Sequence, residues 1–104
     1  MGMRLFGTAE NVNGILHIGG ISVEKLREEY GTPLYVMDQK LIEDNLQKYK
    51  ECFVSDKFAT QVIYATKAFL NVGMCQLVNK FGLGMDAVSD GELFTIKHSG
   101  FPME

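Results

Sequence analysis

The sequence predicts an α/β fold in which parallel strands are joined by crossover helices, and three observations carry that prediction. Apolar runs of strand length recur at Leu34-Tyr35-Val36-Met37, from Val62 to Thr66 and from Leu83 to Val88. Each is followed by a segment whose apolar residues fall at helical spacing. The polar residues Asp38, Lys67 and Asp86 stand at the ends of these runs, the side on which parallel α/β sheets bind ligands. Such alternation means parallel strands with crossover helices. By periodicity alone a doubly wound sheet and part of a (β/α)8 barrel remain equal choices.

Taken in order, the chain opens with two extended pieces, Met3 to Gly7 and Ile15 to Ile18, around the turn signal Asn13-Gly14. This predicts a small hairpin. Ser22 offers an N-cap to a short helix striped by Val23, Leu26 and Tyr30, and Gly31-Thr32-Pro33 stops it. The run Leu34–Met37 is the first predicted strand. Asp38 then precedes an amphipathic helix with Leu41, Ile42, Asn45, Leu46, Tyr49 and Phe53 at helical spacing, and its simplest role is the cap of that helix. Val62 to Thr66 reads as a buried strand. The stretch from about Asn71 to Phe81 places Met74, Leu77, Val78 and Phe81 on one helical face, and Gly82 supplies the C-cap. Leu83 to Val88 is the third strand. Ser89-Asp90-Gly91-Glu92 has capping-box spacing and opens a last helix that runs to about His98.

Composition narrows the function classes. The chain has 104 residues, 46% of them hydrophobic and 22% charged, which is one globular domain's worth with a modest core. A net charge of −3 with scattered cations argues against a polyanion partner. The start, Met1-Gly2-Met3-Arg4, lacks the apolar stretch of a signal peptide, and no apolar run is long enough to span a bilayer, so a cytoplasmic protein is expected. Cys52 and Cys75 lie in helical segments without metal-ligand spacing and are expected as free, buried thiols. His17 and His98 stand alone, and no metal site is expected.

Lys67 is the residue that carries chemistry. A lysine just past a strand is ordinarily a solvated loop residue. Here strand alternation would place Ile63, Ala65 and Lys67 on one face, with a small residue beside the amine. Desolvation there would favour the neutral, nucleophilic amine that Schiff-base chemistry requires. Asp86 lies one strand-helix-strand period later, and on a neighbouring strand it would stand at similar height, about 5 Å away. A carboxylate inside a strand between Met85 and Ala87 is costly to bury without a partner. The lysine would be such a partner. Ser89 and Glu92 are accounted for as a capping box.

These residues also resemble a known family. Tyr64-Ala65-Thr66-Lys67-Ala68-Phe69, with Gly82-Leu83-Gly84-Met85-Asp86-Ala87-Val88-Ser89-Asp90-Gly91-Glu92-Leu93, is similar to the fold-type III pyridoxal-phosphate decarboxylases. Leu16 to Ser22 and the segment Glu29-Tyr30-Gly31-Thr32-Pro33-Leu34-Tyr35-Val36-Met37-Asp38 point to the diaminopimelate branch. Nearly the whole chain is covered. Phe69 departs from the pattern, standing where many relatives have asparagine.

The resemblance implies a (β/α)8 barrel, of which about three units are present from residue 23 to 104. Residues 1–22 would form a hairpin belonging to a separate β domain. It implies pyridoxal 5'-phosphate as cofactor, Lys67 as its Schiff-base lysine, Ala65 lining the cofactor, and Asp86 and Glu92 as acidic residues of the same pocket. The reaction implied is decarboxylation of meso-diaminopimelate to L-lysine by a homodimeric enzyme. This chain would be its amino-terminal part and inactive alone, with the cofactor-stacking histidine, the phosphate site and the substrate arginine lying downstream. Three other readings are an ornithine, arginine or carboxylated-polyamine decarboxylase of the same fold, a non-catalytic pyridoxal-phosphate-binding protein, and a small interaction domain with Lys67 on its surface. The opening hairpin favours a decarboxylase over a carrier.

Overall fold

The computed structural model describes residues 4–104. The chain divides into two compact units, Met1–Asp44 and Asn45–Glu104.

In the first unit, β1 (Glu10–Val12) pairs antiparallel with β2 (Ile15–Ile18), and β2 pairs antiparallel with β3 (Ile21–Ser22). Asn13 and Gly14 form the two-residue loop of the first hairpin, with φ of 53° and 86°. Two successive positive φ values are what a two-residue hairpin turn demands, and Asn-Gly supplies them at low cost. The hairpin is therefore present, but its first strand is not the expected Met3 to Gly7. Met3 lies outside the described residues, and 4–7 form no strand. The turn decides the register: the residues that immediately precede Asn13 pair with those that follow Gly14, although Glu10-Asn11-Val12 lacks an apolar face.

Ser22 caps α1 (Val23–Tyr30), its hydroxyl accepting from Lys25 N–H at 3.2 Å, and Gly31 closes the helix at φ 78°. This helix packs on β2 and β3. Beyond Gly31, the predicted strand Leu34–Met37 is absent: these residues join no ladder, and Tyr35 is fully exposed. An apolar run becomes a strand only when a neighbour takes its N–H and C=O groups, and no described strand does so. Helix α2 (Gln39–Cys52) follows as expected, capped by Asp38.

The second unit contains the parallel pair. β4 (Ile63–Ala65) and β5 (Gly84–Asp86) run side by side, with Ile63 opposite Gly84, Tyr64 opposite Met85 and Ala65 opposite Asp86. Their connection is α3 (Val72–Lys80), capped by Asn71, whose side chain accepts from Met74 N–H at 2.8 Å. Both strands are shorter than Val62–Thr66 and Leu83–Val88. The core lies on α3: Cys75 and Val78 are completely buried, with Met74, Leu83 and Ile96 nearly so. Ile96 belongs to α4 (Asp90–His98), which packs on α3. Cys75 is the buried free thiol expected, whereas Cys52, the last residue of α2, is exposed. Its neighbours Tyr49 and Phe53 on that turn are exposed too, so burial was not available to it.

Candidate functional site

Ala65, Lys67 and Asp86 stand at the carboxyl end of the β4–β5 pair, with one change of geometry. After Ala65 the chain leaves the sheet and turns as a single 3-10 helix, Thr66–Ala68, which carries Lys67. The alternation that would have placed Lys67 on the face of Ile63 and Ala65 thus stops one residue short of Thr66. Asp86 stands level with Ala65, two positions before the lysine.

Two expectations are corrected by this turn. Lys67 is exposed, so the desolvation expected of it is not found. Nor is it paired with Asp86, since its amine makes neither hydrogen bond nor ion pair among the described residues. Asp86 instead serves the backbone: its Oδ1 accepts from Thr66 N–H at 3.1 Å, and its carbonyl accepts from Thr66 Oγ1 at 2.7 Å. The 3-10 turn is capped from the neighbouring strand. Asp86 Oδ2 has no partner among the described residues.

The turn is fastened at its far end as well. Tyr64 Oη donates to the carbonyl of Phe69 at 2.8 Å, bridging the turn from the residue before Ala65. Burial pushes the Tyr64 phenol above its ordinary value. Because Phe69 contributes its carbonyl, the phenylalanine side chain at that position does not affect the bond.

Thr66 and Tyr64 are the residues that sequence reasoning missed. Thr66 is only 1% exposed, the sole buried polar side chain among the described residues. The signal was there in Ala65-Thr66-Lys67: a hydroxyl at a strand end is free to bond a neighbouring strand's carbonyl.

Glu92 sits in the first turn of α4, and its carboxylate accepts from Val88 N–H at 2.6 Å, while Ser89 Oγ accepts from Glu92 N–H at 3.2 Å. This is a capping box displaced by one residue, because Glu92 reaches the residue before the cap. Its N-terminal position also complements the helix dipole. Asp38, in the first unit, is wholly committed. Its Oδ1 accepts from Leu41 N–H at 3.1 Å, and its Oδ2 accepts from the Thr8 hydroxyl at 2.6 Å and the Thr8 N–H at 3.0 Å. The Thr8 bonds hold its carboxyl below the ordinary value.

What the arrangement offers chemically is an exposed primary amine with no competing partner, beside an exposed alanine and a carboxylate with one open oxygen. A carbonyl-bearing cofactor fits such a group, because an amine engaged in an ion pair would first have to release it. Ala65 imposes no side chain beyond its methyl. No group of His, Cys, Asp and Glu among the described residues could hold a metal ion.

Comparison with known proteins identifies the family. Residues 39–104 match the pyridoxal binding domain of the pyridoxal-dependent decarboxylases. The chain is 48% identical over 103 residues to diaminopimelate decarboxylase of Bacillus subtilis (strain 168), covering 98% of this chain and 24% of that protein. It is 44% identical over 102 residues to the diaminopimelate decarboxylase of Bacillus methanolicus, covering 97% and 24%. The crystal structure of the M. jannaschii diaminopimelate decarboxylase in complex with L-lysine superimposes with a TM-score of 0.77 at 34% identity, over 93% of this chain and 23% of that one. The chain thus spans about a quarter of the length of these relatives. It belongs to the pyridoxal-dependent decarboxylase family, and its cofactor is pyridoxal phosphate.

Proposed function

We propose that this chain forms part of an enzyme that decarboxylates meso-diaminopimelate to L-lysine, with Lys67 holding pyridoxal phosphate covalently. The observation that carries the proposal is the unpartnered Lys67 amine on a fastened turn at the carboxyl end of a parallel pair. The relatives named diaminopimelate decarboxylase support the choice of substrate, as does the lysine bound to one of them.

The bound cofactor supplies an electron sink for the pair left on the substrate's α-carbon as carbon dioxide departs. The residues of this chain hold and orient it. Lys67 gives the covalent attachment through Nζ. Ala65 lines the ring's space without filling it. Asp86 contributes negative charge through Oδ2, where a protonated amine can be received. Glu92 adds a second carboxylate after β5, already fixed by its bond to Val88.

On the same reading residues 23–104 belong to a (β/α)8 barrel and residues 1–22 to a separate β domain. The Leu34–Met37 run has the apolar composition of a barrel strand, although its side chains are exposed here. A cytoplasmic homodimer completes the proposal, and no helix among the described residues is long and apolar enough to cross a membrane.

Borohydride reduction in the presence of pyridoxal phosphate, followed by peptide mapping, tests the lysine. A pyridoxyl group concentrated on the Lys67 peptide is expected. Label spread evenly over Lys48, Lys57 and Lys97 would remove Lys67 from the role. Carbon dioxide release from meso-diaminopimelate, compared with ornithine and arginine, by the full-length polypeptide carrying this chain tests the substrate.

A further inference from the structure

The turn that carries Lys67 is fastened by three hydrogen bonds, and none of them involves the lysine side chain. Thr66 N–H and Thr66 Oγ1 bond the side chain and the carbonyl of Asp86, while Tyr64 Oη bonds the carbonyl of Phe69. Thr66 immediately precedes the lysine, and Phe69 follows the end of its 3-10 helix. A single 3-10 turn has little stability of its own, since its hydrogen bonds are few and poorly aligned. Its conformation must be imposed from outside.

We infer that Thr66 and Tyr64 are positioning residues for Lys67: together they fix the turn from which its amine reaches the cofactor. Thr66 ties the entrance of the turn to the last residue of β5, and Tyr64 ties its exit back to β4. The inference rests on the reading of Lys67 as the cofactor lysine.

The geometry divides the work of Asp86. Oδ1 is held by a backbone N–H, which fixes the carboxylate's orientation and leaves Oδ2 open. The Thr66 hydroxyl acts on the other side of the same residue, through the Asp86 carbonyl. Loss of that hydroxyl removes one of two links between the turn and β5, and leaves the Asp86 carbonyl without its side-chain donor. A buried hydrogen bond of this kind is worth about 0.5–1.5 kcal/mol. If the loss is confined to the turn, the ratio of its ordered to its disordered form falls by roughly three- to tenfold. The amine then spends correspondingly less time where a carbonyl can meet it.

The test is pyridoxyl labelling of individual lysines in Thr66→Val, Thr66→Ser and Tyr64→Phe, made in the full-length polypeptide. For each variant the rate at which Lys67 is labelled is divided by the rates at Lys57 and Lys97. Circular dichroism and thermal melting of the same samples report the fold. Thr66→Val is expected to lower the Lys67 ratio about three- to tenfold. Thr66→Ser, which keeps the hydroxyl, is expected to restore the ratio to within about twofold. Tyr64→Phe gives an independent loss at the other end of the turn, and stands in should Thr66→Val fail to fold. Wild-type labelling concentrated on Lys67 together with unchanged ratios in Thr66→Val or, where that variant does not fold, in Tyr64→Phe would overturn the inference alone. Wild-type labelling no faster at Lys67 than at Lys57 and Lys97 would overturn the reading of Lys67, and the inference with it.

Discussion

Two short apolar runs, Leu34–Met37 and Ile63–Ala65, each lead to a polar residue that could serve chemistry, and they meet opposite fates. The second pairs with β5 and becomes a strand, whereas the first joins no described ladder and leaves its side chains in solvent. The polar residues differ accordingly. Asp38 spends both carboxylate oxygens on Thr8 and Leu41. Lys67 spends nothing, because neighbouring groups fasten its turn through the backbone instead. A functional side chain is kept available when the scaffold around it is satisfied by other residues.

Removing the amine gives the sharpest contrast. Lys67→Ala should abolish pyridoxyl labelling of its peptide, while Asp38→Ala should leave Lys67 labelling within about twofold, as its bonds serve a cap and not the amine. Peptide mapping after reduction reads both.

Packing provides the next break. Val78 is completely buried and Val36 is 40% exposed. Val78→Ala should cost about 2 kcal/mol through the cavity it leaves, and Val36→Ala no more than about 0.5 kcal/mol. Urea denaturation of the two variants compares them, and equal losses would show that Leu34–Met37 is better packed than its exposure indicates.

Asp38 titrates in a direction fixed by its partners. Its carboxyl is lowered in the folded chain, so its contribution is present above the ordinary carboxylate value of about 4 and is lost as the pH falls through the lowered folded value. Thr8→Ala removes the principal cause and should flatten that acid-side loss. Asp38→Ala should cost about 1 kcal/mol at neutral pH, the usual worth of an N-cap. Melting curves between acid and neutral pH separate the two. A small effect is expected of Glu92→Gln, about 0.5 kcal/mol from weakened interaction with the α4 terminus, and added salt should diminish the difference.

The helices were legible because their signals are local. Ser22, Asp38 and Ser89 cap where their side chains predict, and the stripe through Met74 and Val78 is the buried one. The strands were legible only where a described strand pairs with them. Leu34–Met37 has the composition of β4 without its neighbour, and Glu10–Val12 has a neighbour without the composition. In the site, Lys67, Ala65 and Asp86 were found by position, but their relation was not. Strand alternation assumes that the strand continues, and the 3-10 helix ends it at Ala65. Thr66 was passed over because a threonine at a strand end is ordinary until its carbonyl partner is known.

The fastening of the Lys67 turn also dictates an order of assembly. The Tyr64 bond closes a loop of 5 residues, while the Thr66 bonds to Asp86 span 20. The shorter loop costs less chain entropy to close, so the exit of the turn can form as soon as Phe69 is available. The entrance must wait until α3 has brought β5 alongside β4. During synthesis, therefore, Lys67 emerges before Asp86, and its turn is tied at both ends only after Asp86 has been added and the crossover has closed.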